Sequence, residues 1–185
     1  MINKSEYKEW ISKRKSIQFC QKENPGIKQE YWELIQEYGL PSSISSFLFW
    51  NENITFHPLT MYYKKKNYEK KFYEENVEFL EQYIFLCTYL GNAVCLNSKN
   101  GMIEEINIST FKAFYFNDSF ETFVDSLVIF AKAVKVVENT DDELSFEQID
   151  CLKEQLIEKV GKNNFEKSVW KVWIDSTISC LELFM

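Results

Sequence analysis

The order of elements along the chain predicts an α+β fold: an antiparallel β-meander with helices packed on one face, a helical N-terminal part and a C-terminal helical extension. Two observations lead there. Four strand-like segments, 83–90, 93–97, 102–108 and 111–117, follow one another with short links. Links that short join antiparallel neighbours, because parallel strands need a long crossover. Helical apolar spacing then appears before and after this block rather than between its strands, the segregation that marks α+β proteins.

Taken in order, residues 5–20 set Tyr7, Trp10, Ile11 and Ile17 among charges, an amphipathic helix that breaks at Asn24-Pro25-Gly26. Residues 28–38 place Tyr31, Leu34, Ile35 and Tyr38 on one helix face. Gly39 suits the positive-φ position after a helix, and Pro41 confirms the stop. Strand chemistry begins near Ile54-Thr55-Phe56. The segment from Met61 to Glu81 reads as a long connection that turns helical towards its end. Within the meander, Gly91-Asn92 and Asn100-Gly101 are the expected tight turns, since Asn and Gly tolerate positive φ.

After the meander, Phe120, Phe123, Val124, Leu127, Val128 and Ala131 form a wide helical stripe, with Asp118 and Glu121 as a capping box. The run from Glu138 to Glu143 is a solvated acidic link. Ser145 and Gln148 open another helix as a capping box. That helix carries Ile149, Leu152, Leu156 and Val160 and stops at Gly161. A last helix, roughly 164–184, carries Phe165, Val169, Val172, Trp173 and Phe184.

The chain has 185 residues, 45% hydrophobic and 17% aromatic, enough to pack a core. It reads as a single domain over 1–185, with a core of about 28–137 and the C-terminal helical extension over about 138–185. The N-terminus carries charges at once and has no apolar h-region, and runs such as Tyr83 to Leu90 are too short to span a bilayer. A cytoplasmic protein without a membrane partner is expected.

The formal net charge is -7. Such a surface disfavours direct nucleic-acid binding and steers basic partners, although negative charge also serves solubility alone. The strongest opposing feature is the stretch from Lys64 to Phe72, where lysines interleave with aromatic residues. A solvated loop explains it better, and the aromatics of 62–73 would equally serve as a homodimer surface.

Enzyme chemistry finds little footing. The single histidine, His57, precedes Pro58 and has no Gly-rich nucleophile elbow around it. Cys20, Cys87, Cys95, Cys151 and Cys180 lack metal-ligand spacing and read as reduced core or surface residues. A two-residue Gly91-Asn92 turn would set Cys87 opposite Leu96 and Cys95 opposite Thr88, with the two thiols on opposite faces. No Walker A or dinucleotide motif is present. Glu104 and Glu105 are adjacent on a strand, so they face opposite ways, and solvated charge is the expected state of both. No catalytic, cofactor-binding or metal-binding residue is therefore expected.

One resemblance gathers these pieces. Tyr83-Ile84-Phe85-Leu86, Gly91-Asn92-Ala93-Val94-Cys95-Leu96, Asn100-Gly101 and the run Phe116-Asn117-Asp118-Ser119-Phe120-Glu121-Thr122-Phe123 stand in an order and spacing that resembles the SUKH superfamily. That superfamily comprises bacterial immunity proteins and the yeast Smi/Knr cell-wall synthesis regulators. Gly39-Leu40-Pro41 looks like its pre-strand segment, and with the tryptophan-bearing C-terminal helix it points to the fourth, deaminase-toxin-associated subgroup.

The resemblance implies a protein without catalytic residues that binds and neutralises one cognate toxin domain, a nuclease or nucleic-acid deaminase. The alternative is a cytoplasmic regulatory or scaffold protein of the Smi/Knr type without a toxin partner. On charge, the candidate partner-binding residues are Glu74, Glu75, Glu104 and Glu105.

Overall fold

The computed structural model describes residues 4–12, 16–17, 24–44, 48–49, 56–61, 76–107, 109–140 and 144–182. In chain order the elements are α1 (Lys4–Ser12), β1 (Ser16–Ile17), α2 (Gln29–Tyr38), β2 (Leu40–Pro41), β3 (Ser43–Ile44), β4 (Leu48–Phe49) and β5 (His57–Pro58). There follow α3 (Val77–Glu81), β6 (Tyr83–Tyr89), β7 (Asn92–Asn97), β8 (Ile103–Ile106) and β9 (Ala113–Asn117). The chain closes with α4 (Phe120–Thr140), α5 (Phe146–Val160), α6 (Lys162–Phe165) and α7 (Val169–Glu182). The fold is α+β, built on an antiparallel meander of β6 to β9.

The spatial order of the main sheet is β3-β4-β6-β7-β8-β9, with β5 also pairing β6, so β9 ends the path. The first hairpin differs in register from the expected one. Tyr89 pairs with Asn92, which makes Leu90 and Gly91 the turn. Both have positive φ, 44° and 87°, as a type I′ turn requires. That register sets Cys87 across from Val94, and a bulge at Leu86 then shifts the pairing so that Cys95 faces Phe85. The bulge also sends the adjacent residues Leu86 and Cys87 into the same core. The two thiols lie in different clusters on the two sides of the sheet, because Cys95 packs with Phe85.

Leu90 is 71% exposed and holds a φ that side-chain-bearing residues adopt at a cost. Leu90→Asn is expected to stabilise the protein by about 0.5–1 kcal/mol. Urea denaturation checks this through a raised midpoint at unchanged slope.

The next two hairpins share one loop design. Asn97 accepts at its carbonyl from Gly101 N–H and donates its own N–H to Met102, both at 2.8 Å. Asn107 does the same with Phe111 and Lys112, at 2.8 and 2.9 Å. Each asparagine Oδ1 also accepts from the backbone two residues on, Lys99 and Ser109 respectively. The fifth residue must take positive φ: Gly101 at 77° in one loop, Phe111 at 53° in the other. Asn100-Gly101 is therefore the end of a longer loop rather than a two-residue turn. Phe111 holds its strained backbone while its ring packs edge-on against Phe79, 6.1 Å away.

Helices cover more than one face. The larger core joins α1, α2, α4, α5 and α7 to one side of the sheet through Tyr7, Ile35, Val94, Leu127, Leu156 and Trp170. On the other side, Leu80 of α3 and Leu59 pack with Phe85, Ala93, Cys95 and Ile106. The expectation of helices on one face alone is corrected by this second cluster. Its cause is legible in composition, because β6 and β7 are apolar at nearly every position and bury both sides.

Other boundaries also differ. Strand pairing begins at β1 and β2, where Ser16 faces Pro41 and Ile17 faces Leu40, not near Ile54. The first helix therefore ends well before residue 20. Helix α4 runs to Thr140, so Glu138 is helical rather than part of a loop. Its cap is Ser119, whose Oγ accepts from Thr122 N–H at 3.2 Å. Glu121 instead accepts from the Lys28 N–H at 3.0 Å and ties the start of α2 to α4.

The C-terminal segment is not an appendage. Ile149, Leu152, Leu156, Val160, Phe165, Val169, Trp170 and Ile174 are all buried in the larger core. The expected last helix is two helices, because the chain turns at 166–168, where Ser168 Oγ donates to Phe165 carbonyl at 2.7 Å. The restart rotates the helix face. Trp170 becomes fully buried and Val172 is left 63% exposed. Phe184 lies outside the described residues.

Candidate interaction site

Strand β8 carries both carboxylates singled out by charge, and alternation sends them to opposite sides of the sheet. Glu104 lies across from Cys95 and Tyr115; Glu105 lies across from Val94 and Phe114. The two sides differ chemically.

On the α3 side, Asn97 Nδ2 donates to Glu104 Oε2 at 2.8 Å. Tyr83 pairs with Asn97 across the hairpin. Burial pushes the Tyr83 phenol well above its ordinary value, and the neighbouring Glu104 charge pushes the same way. Glu104 is half-buried, and this small polar group borders the second apolar cluster.

On the larger helix-bearing side, Glu105 is 8% exposed, so the expectation that it is solvated is corrected. Asn92 Nδ2 donates to Glu105 Oε1. The bond forms because Val94 pairs with Glu105, which puts Asn92, two residues earlier on the same face, diagonally within reach. Burial raises the Glu105 pKa, and the Asn92 hydrogen bond only partly opposes it. Tyr89 sits across from Asn92, and its hydroxyl pKa is pushed up to about 12 by burial and by the Glu105 charge. Phe114, paired with Glu105 on the terminal strand, is 48% exposed. The result is a largely desolvated carboxylate beside an aromatic side chain that remains open to solvent.

This combination was hidden in the sequence because Asn92 reads as a turn residue. Once Tyr89 pairs with it, Asn92 is a strand residue with a side chain that faces Glu105.

The raised Glu105 pKa has a consequence for stability. The folded state holds a proton more tightly than the unfolded chain does. Glu105 therefore subtracts stability as pH rises above the ordinary carboxylate range, and the deficit is complete above its folded pKa. Glu105→Gln keeps an oxygen for Asn92 and removes the charge. Its melting temperature should exceed the wild type's by about 2 °C at pH 7. The gain should vanish as pH falls to about 4, which a pH series of calorimetric scans checks.

Other expected features lie as follows. Glu74, Glu75 and the Lys- and Tyr-rich residues 62–73 lie outside the described residues. His57 pairs with Phe85 through the backbone of β5. Cys87 and Cys95 are buried free thiols whose pKa values burial raises, and Cys151 is free and exposed. Among the described residues, no group of three or more His, Cys, Asp or Glu side chains is placed to hold a metal ion. No helix among them is long and apolar enough to cross a membrane. No protein-family model, curated protein or solved structure matches the chain.

Proposed function

We propose that this protein is a cytoplasmic bacterial immunity protein of the SUKH kind, without enzymatic activity of its own. It binds a cognate toxin domain, a nuclease or nucleic-acid deaminase, and blocks it. The observation that carries the reading is an ordered set of junction residues that resembles the pattern of that superfamily: Gly39-Leu40-Pro41 after α2, the Gly91 turn, the Gly101 loop, and Asn117-Asp118-Ser119 before Phe120 and Phe123. Two physical features support it. A net charge of -7 steers an acidic protein towards a basic, nucleic-acid-modifying partner. The Glu105 side chain offers a desolvated anion on a rigid sheet, the kind of group that contributes most to affinity when a cation meets it.

Thermal unfolding in the presence of the purified C-terminal domain of the upstream gene's product tests the proposal. A tight partner at 100 times its Kd raises stability by about 2.7 kcal/mol. A clear rise in melting temperature, with co-elution of the two proteins, is the expected result. No shift and separate elution would remove the pairing and leave the Smi/Knr-type regulatory role as the better reading.

A further inference from the structure

We propose that Glu105, with Phe114 beside it, is a receptor for an arginine side chain presented by the partner protein. This rests on the immunity reading for the partner's identity, but the site is argued from its own geometry. Among the described residues Asn92 is the hydrogen-bond donor to Glu105, and it engages Oε1. Oε2 is left to accept from a ligand. Its neighbours are apolar or aromatic: Val94 and Phe114 directly across on the two flanking strands, and Tyr89, which pairs with Asn92. A guanidinium suits such surroundings better than an ammonium, because it is planar, weakly hydrated and stacks on ring faces while it donates to a carboxylate.

Three further points favour a binding role over a structural one. The carboxylate costs the fold stability at neutral pH, since burial raises its pKa, whereas a structural role would be filled more cheaply by glutamine. Phe114, directly across from Glu105, is 48% exposed and is one of the four large apolar residues left open to solvent among the described residues. Strand β9 ends the sheet, which leaves Phe114 approachable from the side.

The test uses N-acetyl-arginine amide as the probe and N-acetyl-citrulline amide as its neutral, near-isosteric control, titrated into the full chain by NMR. The expected result is a saturable perturbation at the Asn92 side-chain amide, Glu105 and Phe114, with a Kd of about 1–10 mM. Citrulline should bind at least about tenfold more weakly, as loss of a charge-assisted bond requires. Glu105→Gln keeps the Asn92 bond and the fold, and should abolish the preference for arginine. Phe114→Thr, which suits an exposed strand position, should weaken arginine binding severalfold.

Equal responses to the two probes, an unchanged response in Glu105→Gln, or unsaturable shifts spread over the acidic surface would each overturn the proposal. The probe needs no toxin, so the two readings fail separately. A Glu105-dependent arginine response without toxin binding keeps the site and removes the immunity reading. Toxin binding without that response does the reverse.

Discussion

Trp170→Ala should lower the unfolding free energy by about 4 kcal/mol and the melting temperature by about 10 °C. The indole is fully buried and packs edge-on against Phe116 at 5.0 Å, with Phe130 at 5.8 Å on another side. Its Nε1 donates to Asn117 Oδ1 at 3.0 Å. Asn117 in turn donates to Ser126 Oγ at 3.2 Å, which donates to the Thr122 carbonyl. The substitution thus opens a cavity and strands a buried amide oxygen, two costs that add. Trp170→Phe retains most of the ring packing and loses the bond, and should cost about 1–2 kcal/mol. Urea unfolding separates the two. A loss below about 1 kcal/mol for the alanine variant would mean that the C-terminal helices are peripheral to the sheet, contrary to the packing described.

Asp125→Ala should cost about 3 kcal/mol, the second large effect. Asp125 is buried and holds three helices together. It accepts from the Tyr31 hydroxyl at 2.9 Å and pairs with Lys159, so α2, α4 and α5 meet at one carboxylate. Removing it leaves an ammonium and a phenol without their acceptor in a poorly hydrated place. The pair also has a pH signature. Burial is the largest single influence and lowers the Lys159 pKa, but the hydrogen bonds and negative charges around it, Asp125 first among them and Glu158 also, together leave it raised above 10.5. A raised lysine contributes its full stability below the ordinary value and loses it as pH rises through the folded one. Wild type should therefore weaken above about pH 10.5 more steeply than Asp125→Asn, which lacks the charge. Equal alkaline profiles would show that the ion pair contributes nothing.

Local signals in the sequence located the elements whose determinants are local. The Ser145–Gln148 capping box forms as its spacing requires, and Gly161 and Gly39 end their helices with positive φ. The meander is legible for the same reason, since strand alternation and turn residues lie within a few positions of each other. What was not legible depends on distant partners. Glu121 leaves its capping role for Lys28, 93 residues away in sequence. The short β1 strand exists only because Leu40 and Pro41 lie beside it. Trp170 replaces Val172 in the core because the turn at 166–168 resets the helix phase. The Leu90-Gly91 turn resets the register of the first hairpin and one bulged residue, Leu86, shifts it again, and nothing in the apolar neighbourhood of Leu86 marks the bulge in advance.

The candidate site follows the same division. That Glu104 and Glu105 diverge was readable from strand alternation. That one is half-buried beside Tyr83 and Asn97 and the other desolvated beside Asn92 and Phe114 was not, because both environments are made by neighbouring strands. Charge alone treated the two residues as equivalent.

The most direct test of the proposed toxin neutralisation through Glu105 is growth rescue. The C-terminal domain of the upstream gene's product is expressed in a test bacterium alone, with the wild-type protein, and with Glu105→Gln at matched soluble levels. The account predicts death without the protein, full growth with wild type, and a clear loss of rescue with the glutamine variant, even though that variant is the more stable of the two. Killing that wild type does not prevent would contradict the proposed function, and equal rescue by both proteins would contradict the role assigned to Glu105.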